Sequence, residues 1–216
     1  MAVHVESTAK RTEAIARWVA LSVVVISMAD QDHWRKTIFD PVLAMFGLIL
    51  IVSLRGGDGS TLGLRLVPEQ GWTYWLRVSI RFALLILLFT VAVGGVFLWL
   101  GWHIPVPKRA PTFDGLYWMC LYFPVVEEVI YRALLVTAIR PTFGDWGTIL
   151  IGGIVFAAIH IQGGNVGPDN QIAGFLLTWA YLRSKSLLVP LAMHACGNLC
   201  AFSFQVATYQ GWLPIL

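Results

Sequence analysis

The 216-residue chain is short of charge: Asp, Glu, Lys and Arg make up 12% of it, where a soluble domain carries about 25%. It is 57% hydrophobic, with a mean hydropathy of +0.72. That balance excludes an ordinary water-soluble fold and predicts an all-α, polytopic transmembrane helical bundle. The chain also lacks a Gly-rich phosphate loop and a basic patch interleaved with aromatics, so neither a nucleotide nor a nucleic-acid partner is expected. Cysteine is scarce and odd in number: Cys120, Cys196 and Cys200 all lie in apolar stretches, which argues against a disulfide framework. Cys196 and Cys200 stand four apart beside His194, a spacing open to a metal; the plainer reading is small packing residues.

What is present is a series of apolar runs separated by polar punctuation. Residues 1–13 read as a polar tail that frays, and residues 14–216 as one integral membrane domain. Hydropathy places spans near Ala14–Ala29, Ile38–Leu54, Val78–Trp102, Leu116–Ile139, Trp146–Ile161, Gln171–Leu182 and Leu187–Phe204, about seven in all and eight if a terminus adds one. Arg17 in the first span is expected to snorkel to the headgroups. That span is followed by Asp30-Gln31-Asp32 rather than a small-residue cleavage site, so it reads as an uncleaved anchor. The Gly-Gly-Asp-Gly-Ser run at 56–60, the His-Ile-Pro-Val-Pro run at 103–107 and the Gly-rich stretch 163–170 are loops. Eight of the 10 tryptophans fall near span ends, where interfacial anchors belong. With seven spans, ten Lys and Arg lie on one side and four (Arg35, Lys36, Lys108, Arg109) on the other. This excess orients the N-terminus to the cytoplasm.

Against that apolar background two adjacent carboxylates, Glu127 and Glu128, stand in the middle of the fourth span. An ionisable residue in hydrocarbon costs several kcal/mol and is a site hypothesis by default. Glu128 and Arg132 are i and i+4, the spacing of a helical ion pair, whereas Glu127 points about 100° away. Glu128 is therefore expected to be neutralised by Arg132, leaving Glu127 to act as a general base. The competing structural reading is a polar knot that locks helices together. Phe156 and His160 share a face of the fifth span, where the histidine could be a packing residue or could hold a water with Glu127. His194 and Asn198 project side by side from the seventh, either as helix glue or as two donors for a developing oxyanion.

The ordered set Glu-Glu-x-x-x-Arg at 127–132, Phe-x-x-x-His at 156–160 and His-x-x-x-Asn at 194–198 resembles the CPBP family of intramembrane proteases. This is the Abi group of CAAX proteases and bacteriocin-processing enzymes, typified by the Ras-converting CAAX endopeptidase. The resemblance implies a metal-free glutamic endopeptidase. Glu127 would activate water with His160, and His194 and Asn198 would stabilise the oxyanion. Arg132 would neutralise Glu128, with Phe156 in support. It also implies a membrane-anchored or exported protein as substrate, and maturation or sorting in a bacterial inner membrane as the role.

Alternatives remain open on the residues themselves. His-Glu-x-x-His is absent, yet Glu127, His160 and His194 are a ligand set that catalytic zinc accepts. A proton-coupled carrier would also place carboxylates and histidines in the membrane, but would show inverted repeats, and the halves of this chain do not resemble each other. A non-catalytic scaffold or immunity protein on the same fold would be expected to have lost one of these positions. On the seven-span topology the site opens to the extracytoplasmic side, and a cysteine-labelling map that placed the 163–170 loop inside would sink that expectation.

Overall fold

The computed structural model describes residues 2–29, 33–101, 110–165 and 167–210. Among these the secondary structure is wholly helical, without a strand. In chain order it consists of α1 (Ala2–Ala29), α2 (His33–Leu54), a 3₁₀ turn (Ser60–Leu62), α3 (Gly71–Trp99), α4 (Phe113–Tyr117), a first π-helical run (Trp118–Tyr122), α5 (Phe123–Glu128), a second π-helical run (Val129–Leu134), α6 (Leu135–Gln162), α7 (Pro168–Ser184) and α8 (Leu188–Tyr209). The acidic turn at 30–32, the 103–107 loop with Lys108 and Arg109, and the C-terminal Trp212 and Pro214 lie outside the described residues.

Among the described residues three stretches are long and apolar enough to cross a membrane: Thr8–Ala29, Gly71–Phe89 and Phe113–Gln162, with Ile38–Leu54 a shorter apolar helix. The expected count of seven or eight spans goes further than this. α7 has only 17 residues, and α8 carries His194, Asn198 and Gln205 among its apolar residues. The 50-residue stretch Phe113–Gln162 would be about 75 Å long as a straight rod, more than twice a bilayer's hydrocarbon thickness of about 30 Å. It is not straight. α6 breaks at Gly144, whose φ of 62° no helix accommodates, between the segments read as the fourth and fifth spans. Pro141 precedes the break, and Arg140 pairs with Asp145 across it at 2.7 Å.

The chain divides into two compact units, Met1–Glu69 with Val125–Leu191, and Gln70–Pro124 with Ala192–Leu216. In the first, Ala16, Ala20, Val23 and Val24 of α1, Ala44, Leu48 and Ile51 of α2, and most of Val129–Ile139 form the core. Two expectations need correction here. The polar residues after Met1 are helical rather than a frayed tail: Lys10 pairs with Glu6 at 2.6 Å, and Arg55 of α2 grips Glu13 at 2.7 and 3.2 Å. Arg17 does not snorkel: it donates to the Ala138 carbonyl at 3.1 Å and the Thr142 hydroxyl at 2.5 Å. Arg17 thus stands against the last turns of the helical segment that ends at Gly144, where a cation complements the negative end of the helix dipole.

α6 and α7 make the most extensive helix pair in this unit. They approach through glycine: a Cβ on Gly174 would come within 2.7 Å of Phe156 Cβ and 3.0 Å of the Gly153 carbonyl. The 55–69 segment is tied to the turn before α8, with Leu187 N–H donating to Gly63 O at 2.8 Å, Ser186 Oγ to Arg65 O at 2.7 Å and Glu69 N–H to Ser184 O at 2.8 Å. In the second unit α3 is apolar and outward-facing, Leu84 to Phe89 all exposed, a surface that water would not tolerate and lipid would. Thr112 caps α4 by accepting from Gly115 N–H at 3.1 Å.

Candidate active site

The two glutamates occupy the end of α5, and the chain passes at once into the second π-helical run. A π-helix is rare and tends to occur at functional sites, because it re-aims side chains relative to a regular α-helix. Glu128 and Arg132 therefore span an α-to-π junction rather than one regular turn. They still meet, Nε to Oε2 at 3.0 Å, and both side chains are 0% exposed. The guanidinium carbon also lies 4.6 Å from the centre of the Phe156 ring, so Arg132 is held by a carboxylate and an aromatic face together.

Phe156 is the hub of this arrangement. It is fully buried and takes Tyr131 edge-on, with centroids 5.8 Å apart and planes at 89°. One helical turn later the His160 ring lies against it at 4.2 Å and 34°. His160 Nδ1 is 2.9 Å from the Phe156 carbonyl, which can only accept, so Nδ1 carries the proton and donates. In the neutral imidazole Nε2 is then the acceptor. It faces Glu127 Oε2 at 4.0 Å, and the two side chains are partly open, at 14% and 25% exposure. The gap is too long for a direct hydrogen bond. A water at about 2.8 Å from each acceptor would subtend about 90° between them, close to its natural angle. It would then donate to both and present a lone pair outward.

The first unit thus brings together Glu127, Glu128, Arg132, Phe156 and His160. His194 and Asn198 lie in the second unit, on α8. His194 is buried, and Asn198 Nδ2 donates to the Met119 carbonyl at 2.7 Å. Met119 belongs to the first π-helical run, where the irregular backbone offers a carbonyl to a side chain. One amide N–H of Asn198 remains beyond that bond. Beside Met119, Trp118 packs edge-on to Tyr122 at 4.6 Å and to Tyr117 at 5.4 Å. Cys120, Cys196 and Cys200 are free thiols. Among the described residues no three His, Cys, Asp or Glu side chains converge as a metal-binding group.

Two features of the first unit are not signalled by the motif spacing: Tyr131, which buttresses Phe156, and Gly174, which lets α7 approach it. The run Glu127–Arg132 holds both a site and its own supports, and an aromatic at 131 was the available clue.

No curated protein matches the chain, and no solved structure does. Residues 109–200 match a family model described as type II CAAX prenyl endopeptidase Rce1-like. That stretch takes in all three motifs, and the chain is accordingly Rce1-like over these residues, consistent with the CPBP group of CAAX proteases that the motifs resemble.

Proposed function

We propose that the protein is an intramembrane endopeptidase in which Glu127 and His160 activate the water that attacks a peptide bond. The observation that carries this reading is the His160 ring. Its Nδ1–H is anchored on the Phe156 carbonyl at 2.9 Å, and Nε2 is turned to the Glu127 carboxylate at 4.0 Å. Glu127 takes the water's proton as hydroxide adds to the carbonyl, and then delivers it to the leaving amine. The buried ion pair of Glu128 with Arg132 supports giving that work to Glu127. For His194 and Asn198 the role of oxyanion donors is supported by the family motif alone. The reaction proceeds without a metal or other cofactor, on a membrane-anchored or exported protein. The N-terminus is cytoplasmic, in a bacterial inner membrane, and the ten-to-four distribution of Lys and Arg supports that orientation.

The test is cleavage of a farnesylated CAAX peptide, and of membrane proteins encoded nearby, by full-length protein in detergent. Wild type, Glu127→Gln and His160→Ala are compared with and without a strong zinc chelator. Activity that survives the chelator and is lost in both variants supports the reading. Activity abolished by the chelator and restored by zinc overturns the metal-free mechanism. Full activity in Glu127→Gln removes this residue as the base.

A further inference from the structure

Outside the motifs, α3 carries two cations that no carboxylate answers. Arg77 and Arg81 stand four apart on one face of the helix, and both are exposed. Among the described residues neither forms an ion pair or a hydrogen bond. Chain neighbours offer none, because no acidic residue occurs between Glu69 and Asp114. Like charges at this spacing repel each other and weaken a helix. Their depth sharpens the point. No charged residue follows Arg81 before α3 ends at Trp99, which leaves an apolar rod about 27 Å long. That is close to the hydrocarbon thickness of about 30 Å. With this rod in the hydrocarbon, Arg81 falls at its edge and Arg77 about 6 Å farther out, among the headgroups.

The same stripe continues on either side of the pair. Tyr74, three residues before Arg77, is exposed and offers a phenolic O–H. Leu84, Leu85 and Leu88 follow on the hydrocarbon side, all exposed. The helix thus presents donors at headgroup depth and, beneath them, an apolar track along which an acyl chain can lie.

We propose that Tyr74, Arg77 and Arg81 bind one anionic phospholipid, whose phosphate bridges the two guanidinium groups. Phosphate oxygens match the forked donors of arginine, and the lipid brings negative charge to a depth where the chain supplies none. The alternative is snorkelling alone, in which each arginine reaches the headgroup layer by itself and the two are not coupled. This lipid site does not depend on the catalysis proposed above.

The test is native mass spectrometry of the full-length protein in a neutral detergent, titrated with phosphatidylglycerol or with phosphatidylcholine of the same acyl chains. Wild type should take its first phosphatidylglycerol about tenfold more tightly than phosphatidylcholine. Arg77→Gln and Arg81→Gln should each weaken that adduct about tenfold. The double variant should fall within about threefold of the single ones, because one phosphate needs both groups. Tyr74→Phe is expected to cost about twofold. Arg11→Gln removes the same charge from an exposed position of α1 and should leave the affinity within about twofold. Equal affinity for the two lipids, or equal losses in Arg11→Gln and Arg77→Gln, overturns the site. Losses that multiply in the double variant overturn the shared phosphate and leave snorkelling. Should the glutamine variants fail to fold, Arg77→Lys combined with Arg81→Lys keeps both charges. Phosphatidylglycerol binding several-fold weaker than wild type then supports the guanidinium bridge, and undiminished binding overturns it.

Discussion

Glu127 and Glu128 are neighbours in the chain and opposites in surroundings. Glu128 is sealed with Arg132 at 3.0 Å, both fully buried, under the face of Phe156. Glu127 is a quarter exposed and faces a histidine across a gap of water size. The first environment suits structure, because a buried ion pair cannot lose one partner without leaving the other charge in a medium of low polarity. The second suits chemistry, because a base must be reached by water and by substrate. A single step along the chain, with the rotation of about 100° that goes with it in a helix, thus separates a sealed, paired carboxylate from one that water can reach.

The contrast is broken most severely from the buried side. Glu128→Gln should destabilise the protein by about 3–5 kcal/mol, since it strands the Arg132 charge. Thermal unfolding in detergent measures this, and the double change Glu128→Leu with Arg132→Met should recover much of the loss. A Glu128→Gln protein as stable as wild type would show that the pair is not structural. From the open side, Glu127→Gln should leave the unfolding temperature nearly unchanged and lower kcat about a hundred- to ten-thousand-fold. If instead the two substitutions gave the same phenotype, the division between the adjacent glutamates would not exist.

The comparison also shows what a sequence can convey. Spacing four apart in a regular helix suffices to stack the Phe156 and His160 rings. Glu128 and Arg132 also meet, but across an α-to-π junction that the spacing does not announce. The helical fold follows from apolar runs of membrane length. The π-helical runs are a different matter, since they arise where tertiary packing outweighs regular hydrogen bonding, and no local pattern marks them. The same holds for Arg17, whose hydrogen-bond partners Ala138 and Thr142 are more than 120 residues away. It holds also for the helical N-terminus, which rests on Arg55 reaching back to Glu13. Tyr131 meets Phe156 through the packing of the second π-helical run on α6.

A milder perturbation tests whether the partly open site depends on the packing behind it. A methyl group at Gly174 would meet Phe156 Cβ at 2.7 Å and the Gly153 carbonyl at 3.0 Å, and neither is a flexible side-chain end that could swing aside. Gly174→Ala should therefore cost about 1–3 kcal/mol by overpacking. Because Phe156 carries His160, kcat should fall as well, while KM stays near its wild-type value. Lost stability with kcat intact would mean that the His160 ring is held by its hydrogen bond to the Phe156 carbonyl and not by the stack.

The smallest effect belongs at the polar end of the first unit, far in character from the buried pair. Lys185 reaches Glu69 at 2.7 Å, and Arg65 stands 3.9 Å away. The hydrogen bond from Lys185, followed by the nearby positive charges, holds the Glu69 carboxyl below the usual carboxylate range. A group whose folded pKa is lowered binds its proton more readily in the unfolded chain. Its contribution is present above the unfolded value, near 4.5, and is lost as pH falls through the lower folded value. Glu69→Gln should thus lower stability slightly at neutral pH and flatten the acid side of the stability profile below about pH 4.5. Because the pair is exposed, 150 mM salt should shrink the difference. Unfolding temperatures from pH 3 to 7 measure it. A profile unchanged by Glu69→Gln would mean that the backbone bonds from Leu187 to Gly63 and from Glu69 to Ser184 hold this turn without help from the ion pair.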